Sequence, residues 1–213
     1  MSYNFCAVLV GPPGCGKTTL AAQVVKRHIA DGGIVFVHDP VQQFAKHGCK
    51  VYRDAAAYRK AATDAHAAGE KIPAGASLGG SAADVTKLAL EIGEKCNRAD
   101  NVRVKILEVL DEASLGASGP TWVDAQDNEL LATRRHRGIG ILMNVQQPNQ
   151  LTARFYGMST DVCLFRSTTD RAAQLDGMLL LEKGELARAG AAQLADHTYL
   201  HVRVGKGIVR EPL

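Results

Sequence analysis

The chain has 213 residues, with 25 Lys and Arg against 22 Asp and Glu, a formal net charge of +3 and 46% hydrophobic residues. That size suits one α/β domain spanning residues 1–213, and the mild basicity permits a nucleic-acid partner without demanding one. No apolar run approaches the ~20 residues of a membrane span. The apolar stretch at Phe5–Val10 is too short for a signal peptide and runs directly into glycines.

In chain order, Phe5–Val10 reads as a buried strand and Thr18–Ala30 as an amphipathic helix. Ile34–His38 is a second strand ending at Asp39-Pro40, and Lys50–Arg53 a short third. An Ala-rich helix spans about 55–68, and the Gly/Ala/Ser-rich residues 71–80 read as a mobile surface loop. Ser81 is the expected N-cap of a helix reaching Asn97. Val102–Leu110 is a strongly apolar strand closing on Asp111-Glu112. A helix over 121–135, a strand over Ile139–Val145, a turn at Gln147-Pro148 and a short helix over 149–158 follow. Val162–Phe165 is a strand, 169–181 and 185–194 are helices, and 198–210 is a hairpin turning at Gly205-Lys206-Gly207. Alternating strands and helices predict a mostly parallel sheet with helices on both faces.

The five cysteines show no C-x-x-C spacing, which indicates free thiols in a reducing compartment. Cys6 and Cys163 fall in apolar strands as buried filler. His28, His47, His66, His197 and His201 show no metal-ligand spacing, and Trp122 reads as a packing residue.

Three constellations carry chemistry. Gly11-Pro12-Pro13-Gly14-Cys15-Gly16-Lys17-Thr18 matches G-x-x-x-x-G-K-[ST] between a strand and a helix. Successive backbone N–H groups and the helix dipole suit an anion there, and Gly14 and Gly16 permit close phosphate approach. Lys17 adds a point charge for the β- and γ-phosphates, and the Thr18 hydroxyl suits Mg²⁺. ATP is therefore the expected ligand of residues 11–19, Thr19 included. The second constellation is the apolar strand ending in Asp111-Glu112. Asp111 suits the Mg²⁺ shell, and Glu112 suits the orientation and deprotonation of an attacking water. Glu108 within that strand has no evident role. The third is Arg134-Arg135-His136-Arg137 at a helix end, followed by a strand ending at Gln146. The Gln146 amide can bond both a γ-phosphate and a water.

Together these residues resemble the FtsK/HerA superfamily of DNA-pumping ATPases, over most of residues 5–181. The resemblance implies a RecA/FtsK-like P-loop core. It also implies that an arginine eleven residues before the sensor Gln acts across a subunit interface, and that residue is Arg135. Leu164-Phe165-Arg166-Ser167 resembles the strand after the sensor, and Asp39-Pro40 the family's second-strand ending. Gln147 departs from the pattern, since FtsK-type translocases carry Arg there. A phosphate loop opening at Gly11, with no winged-helix segment behind, is similar to the genome-packaging ATPases of tailless icosahedral viruses with an internal membrane. The implied partners are double-stranded DNA, further copies in a pentameric or hexameric ring, and proteins of a capsid vertex or internal membrane. The implied location is the host cytoplasm or the virion. Two other classes stay open at this level: a nucleotide or small-molecule kinase with a lid at Arg134–Arg137, and an NTP-dependent switch protein.

Overall fold

The computed structural model describes residues 5–97, 101–111 and 125–213. Two compact units divide them: Ala22–Asp111 with Asp124–Ile141, and Phe5–Ala21 with Leu142–Leu213. The elements form a mixed, mostly parallel set of nine strands with flanking helices.

In the first unit, α1 (Lys17–Ala30) continues to β2 (Ile34–His38), β3 (Lys50–Tyr52), α2 (Ala55–Ala67), β4 (Gly75–Leu78), α3 (Ala82–Cys96), β5 (Ile106–Leu110) and α4 (Ala125–Thr133). Its strand order is β3-β4-β2-β5, with β6 (Ile139–Val145) following. β2 runs parallel to β4 and β5, with His38 opposite both Leu78 and Leu110. The expected loop at 71–80 is thus corrected: it contains β4, an interior strand buried at all four residues. Gly75, Ala76 and Ser77 look like turn residues by composition. They are small because a strand covered on both faces leaves little room; a Cβ on Gly75 would lie 2.7 Å from Ile29 Cδ1.

Caps follow the sequence. Ser81 Oγ accepts the Asp84 N–H at 3.1 Å to start α3, and Asp54 accepts the Ala57 N–H at 2.8 Å to start α2. Residues 102–105 are not strand, because Asn97 takes their backbone groups. Its Oδ1 accepts the Arg103 and Val104 N–H groups, and its Nδ2 donates to the Val104 and Arg137 carbonyls, all within 2.8 Å. Gly138, at φ 66°, is wedged beside this clamp. Glu108 also gains a role: fully buried in β5, it accepts the Thr86 hydroxyl at 2.5 Å.

In the second unit β1 (Cys6–Val10) leads to the phosphate loop. After β6 come α5 (Ala153–Met158), β7 (Asp161–Phe165), α6 (Thr169–Met178), α7 (Glu185–Arg188), β8 (Thr198–Arg203) and β9 (Gly207–Pro212). The order is β6-β1-β7-β8-β9, with β1 parallel to β7 and β8 antiparallel to both β7 and β9. The expected C-terminal hairpin is therefore β8–β9, turning on the Lys206 N–H to Arg203 carbonyl bond of 2.8 Å. The helix expected at 185–194 stops at Arg188, where Gly190 turns the chain at φ 88°.

Candidate nucleotide site

β1 is buried at all five residues, so its end is a rigid platform for the loop that follows. Val10 lies opposite Leu164 of β7, and the Gly11 N–H donates to the Val145 carbonyl of β6 at 3.2 Å. A Cβ on Gly11 would stand 2.7 Å from Phe165 Cβ and 2.9 Å from Cys15 Sγ, so only glycine fits there. Gly14 and Gly16 hold φ of 77° and 110°, the left-handed region that turns the chain into α1. The first turn of α1 carries no acidic residue, which leaves the positive end of its dipole uncompensated. Lys17 Nζ folds back across the loop, donating to the Gly11 carbonyl at 2.7 Å and the Pro12 carbonyl at 2.9 Å. Thr18 is half-buried, while Pro13, Gly14 and Thr19 are exposed. The structure therefore gathers residues 11–19 into one loop between β1 and α1, with Lys17 Nζ folded over its carbonyls.

Gln146 stands beside this cradle, because the carbonyl that receives the Gly11 N–H belongs to the preceding residue. β6 is buried throughout, and its exit is held by Gln150. Gln150 Oε1 accepts the Gln146 N–H at 2.6 Å and the Gln147 N–H at 2.9 Å. Gln146 itself is half-buried, and its side-chain amide makes no hydrogen bond among the described residues.

Asp111 belongs to the first unit. It is 2% exposed at the end of β5, with its N–H donated to the His38 carbonyl at 3.2 Å. Glu112 lies outside the described residues, as does Trp122. Asp39 is occupied internally: its carboxylate accepts the Gln43 N–H at 2.9 Å, the Phe44 N–H at 2.8 Å and the Ser77 hydroxyl at 2.8 Å. Its place at a strand end reflects capping of the turn over Gln43–His47.

The three arginines separate. Arg134 is buried, and Arg137 pairs with Glu129 at 2.8 Å and Glu94 at 3.8 Å. Arg135, in the turn after α4, is exposed.

One residue beside the loop, His197, shows in the sequence only as a histidine without metal-ligand spacing. A Cβ on Gly16 would lie 3.2 Å from His197 Nδ1 and 3.4 Å from both methyls of Leu213. His197 has φ 60°, rare for a residue with a side chain, but nothing in its sequence neighbourhood reports that.

Residues 7–70 match the family described as "ATPase family associated with various cellular activities (AAA)". No curated protein matches the chain. Among solved structures, the chain is similar to the genome packaging NTPase B204 of Sulfolobus turreted icosahedral virus 2 in complex with AMPPCP. The TM-score is 0.75 at 15% identity, covering 99% of this chain and 98% of that one. B204 described as the DNA-packaging ATPase from Sulfolobus turreted icosahedral virus gives 0.74 at 16%, covering all of both chains. VirB4 of Thermoanaerobacter pseudethanolicus gives 0.57 at 12% identity, covering 98% of this chain and 89% of that one. The strand order, the loop from β1 into α1 and these neighbours agree with the resemblance read from the residues: the fold is that of the P-loop NTPases.

Proposed function

We propose that this chain is an ATPase that drives double-stranded DNA through a homo-oligomeric ring, packaging a viral genome into a preformed capsid. The observation that supports the reading is the Gly11–Val145 bond, which sets the loop of residues 11–19 next to Gln146. The likeness in fold to B204, a genome packaging NTPase, supports the choice of task. Among the described residues no helix is long and apolar enough to cross a membrane. The chain's further partners in this reading are capsid vertex or internal-membrane proteins, in the host cytoplasm or the virion.

Backbone N–H groups of residues 14–19 hold the triphosphate, and Lys17 exchanges its two carbonyl partners for β- and γ-phosphate oxygens. The Thr18 hydroxyl and the buried Asp111 carboxylate are hard oxygen donors of the kind Mg²⁺ takes. When bound, that ion neutralises charge on the β- and γ-phosphates. Glu112 orients a water and takes its proton as the oxygen bonds to the γ-phosphorus and the bond to the β-phosphate oxygen breaks. Gln146 bonds the γ-phosphate and the water, and so registers when the phosphate has gone. Arg135 serves the site of the neighbouring copy. Exposed Arg203 and Lys206 at the β8–β9 turn, with Arg210, suit contact with DNA phosphates.

The test is ATPase activity with and without duplex DNA, measured beside native mass. Stimulation by DNA in a ring-sized species, weakening steeply as salt rises, is the expected result. Phosphoryl transfer to a small acceptor without DNA would indicate a kinase instead. Slow turnover with partner-dependent release would indicate a switch.

A further inference from the structure

The phosphate cradle has two flanks, and they differ. The strand order β6-β1-β7-β8 places β6 on one side of the loop's own strand and β7 then β8 on the other. Gln146 leaves β6 on the first flank. On the second, Phe165 lies opposite Tyr199, so the start of β8 reaches the same edge as the loop. His197 immediately precedes that strand. A triphosphate lying in the loop with its γ end towards Gln146 sends its α-phosphate, ribose and base towards this second flank.

Several observations converge on His197. Its backbone is left-handed at φ 60°, a conformation that costs an ordinary residue and that clusters at functional sites. Its ring is exposed and makes no hydrogen bond among the described residues. The Leu213 N–H donates to the His197 carbonyl at 2.8 Å, which ties the exit of β9 to it. The imidazole and the two Leu213 methyls stand over Gly16, 3.2 Å and 3.4 Å from where its Cβ would lie. Gly16 is glycine for its φ of 110°, and His197 and Leu213 pack directly over it.

We propose that His197, backed by Leu213, is the wall of the nucleotide site that contacts the ribose and base. The inference rests on reading residues 11–19 as a triphosphate site. An imidazole offers a flat π-face to a purine and a ring nitrogen to a ribose hydroxyl, while the leucine methyls exclude water beneath. The contact is to the nucleoside half of the ligand, so it distinguishes a nucleotide from a bare polyphosphate.

The experiment is titration calorimetry with ATP and with inorganic tripolyphosphate, on the wild-type chain, His197→Asn and Leu213→Ala. Asparagine tolerates the left-handed backbone, so His197→Asn removes the ring without straining the turn. Expected is a loss of ATP affinity of about fivefold or more in His197→Asn, the low end for stacking on a base. A smaller loss is expected in Leu213→Ala, with tripolyphosphate affinity unchanged in both. Unchanged tripolyphosphate binding also shows that the cradle is intact. ATP affinity unaltered in His197→Asn, or an equal loss for both ligands, overturns the proposal. Wild-type protein that binds tripolyphosphate and ATP equally well overturns it too. Wild-type protein that binds neither sinks the triphosphate reading and this inference with it.

Discussion

Gln150 Oε1 receives the backbone N–H of Gln146 at 2.6 Å and of Gln147 at 2.9 Å, so one side chain fixes the exit of β6. Pro148 sits inside that turn without an N–H of its own, and the Tyr156 hydroxyl donates to its carbonyl at 3.0 Å. The amide of Gln146 is thereby carried on a held backbone next to Gly11. Replacing Gln150 by Leu keeps the bulk and removes the acceptor. Turnover should fall by about 10- to 100-fold, the cost of misplacing a reacting group by an ångström, with KM for ATP little changed. A KM effect without a kcat effect would make Gln150 a general structural residue instead.

Substitutions at Lys17 and Glu112 test whether binding and chemistry divide between them. Lys17→Ala removes the cation at the mouth of the cradle and should abolish hydrolysis while weakening ATP binding. Glu112→Gln should keep ATP and lose turnover by a factor on the order of 10²–10⁴. Wild-type turnover in Glu112→Gln would remove it from the role of base.

Gly138 predicts a stability effect in the first unit. It has φ 66°, and a Cβ there would meet the Val104 carbonyl at 2.7 Å and Asn97 Nδ2 at 2.8 Å. The carbonyl is backbone and cannot swing away. Gly138→Ala should therefore lose about 2–4 kcal/mol, from left-handed strain together with overpacking. Urea denaturation at constant m-value measures it.

The phosphate loop was legible because its chemistry is local: strand, glycines, Lys17 and helix are contiguous. The Gln146 position was legible from a strand ending in a polar residue. β4 was not, since Gly75-Ala76-Ser77 carries the composition of a turn and only burial between two strands explains it. Glu108 has no evident role in the sequence and Asp39 resembles a family feature; both are internal acceptors, Glu108 of the Thr86 hydroxyl and Asp39 of two N–H groups and the Ser77 hydroxyl. His197 is brought to Gly16 by the pairing of β7 with β8, which no local pattern encodes.

Acid should erode stability from about the ordinary histidine range downward. His38 is 3% exposed, and burial holds its imidazole below the usual 6.5 despite the Gly80 carbonyl 3.2 Å from Nε2 and the neighbouring Asp39 charge. His28 is depressed by burial too. Between the depressed value and 6.5 the unfolded chain binds the extra proton and the native chain does not, so stability rises with pH there. It is complete above the unfolded value and lost progressively as pH falls from there through the folded one. The urea midpoint should drop as pH falls below the ordinary histidine value of 6.5, and His38→Gln should flatten that drop. A wild-type midpoint that holds across the range contradicts the assignment.

Arg135 tests whether the site is completed by a second copy. Its neighbours Arg134 and Arg137 are committed to the interior and to Glu129, while Arg135 stands exposed in the turn after α4. A guanidinium is permanently charged and can neutralise charge developing on a transferred phosphoryl group, an effect worth roughly 10³–10⁵ in rate. Supplied by a neighbour, it links hydrolysis to assembly and lets subunits fire in turn. Arg135→Ala should therefore fold, bind ATP and hydrolyse it poorly. Mixing it with Lys17→Ala should restore activity, because some interfaces then pair an intact phosphate loop with an intact Arg135. A mixture that stays dead confines Arg135 to its own subunit. Full DNA-independent activity in Arg135→Ala alone removes it from catalysis altogether.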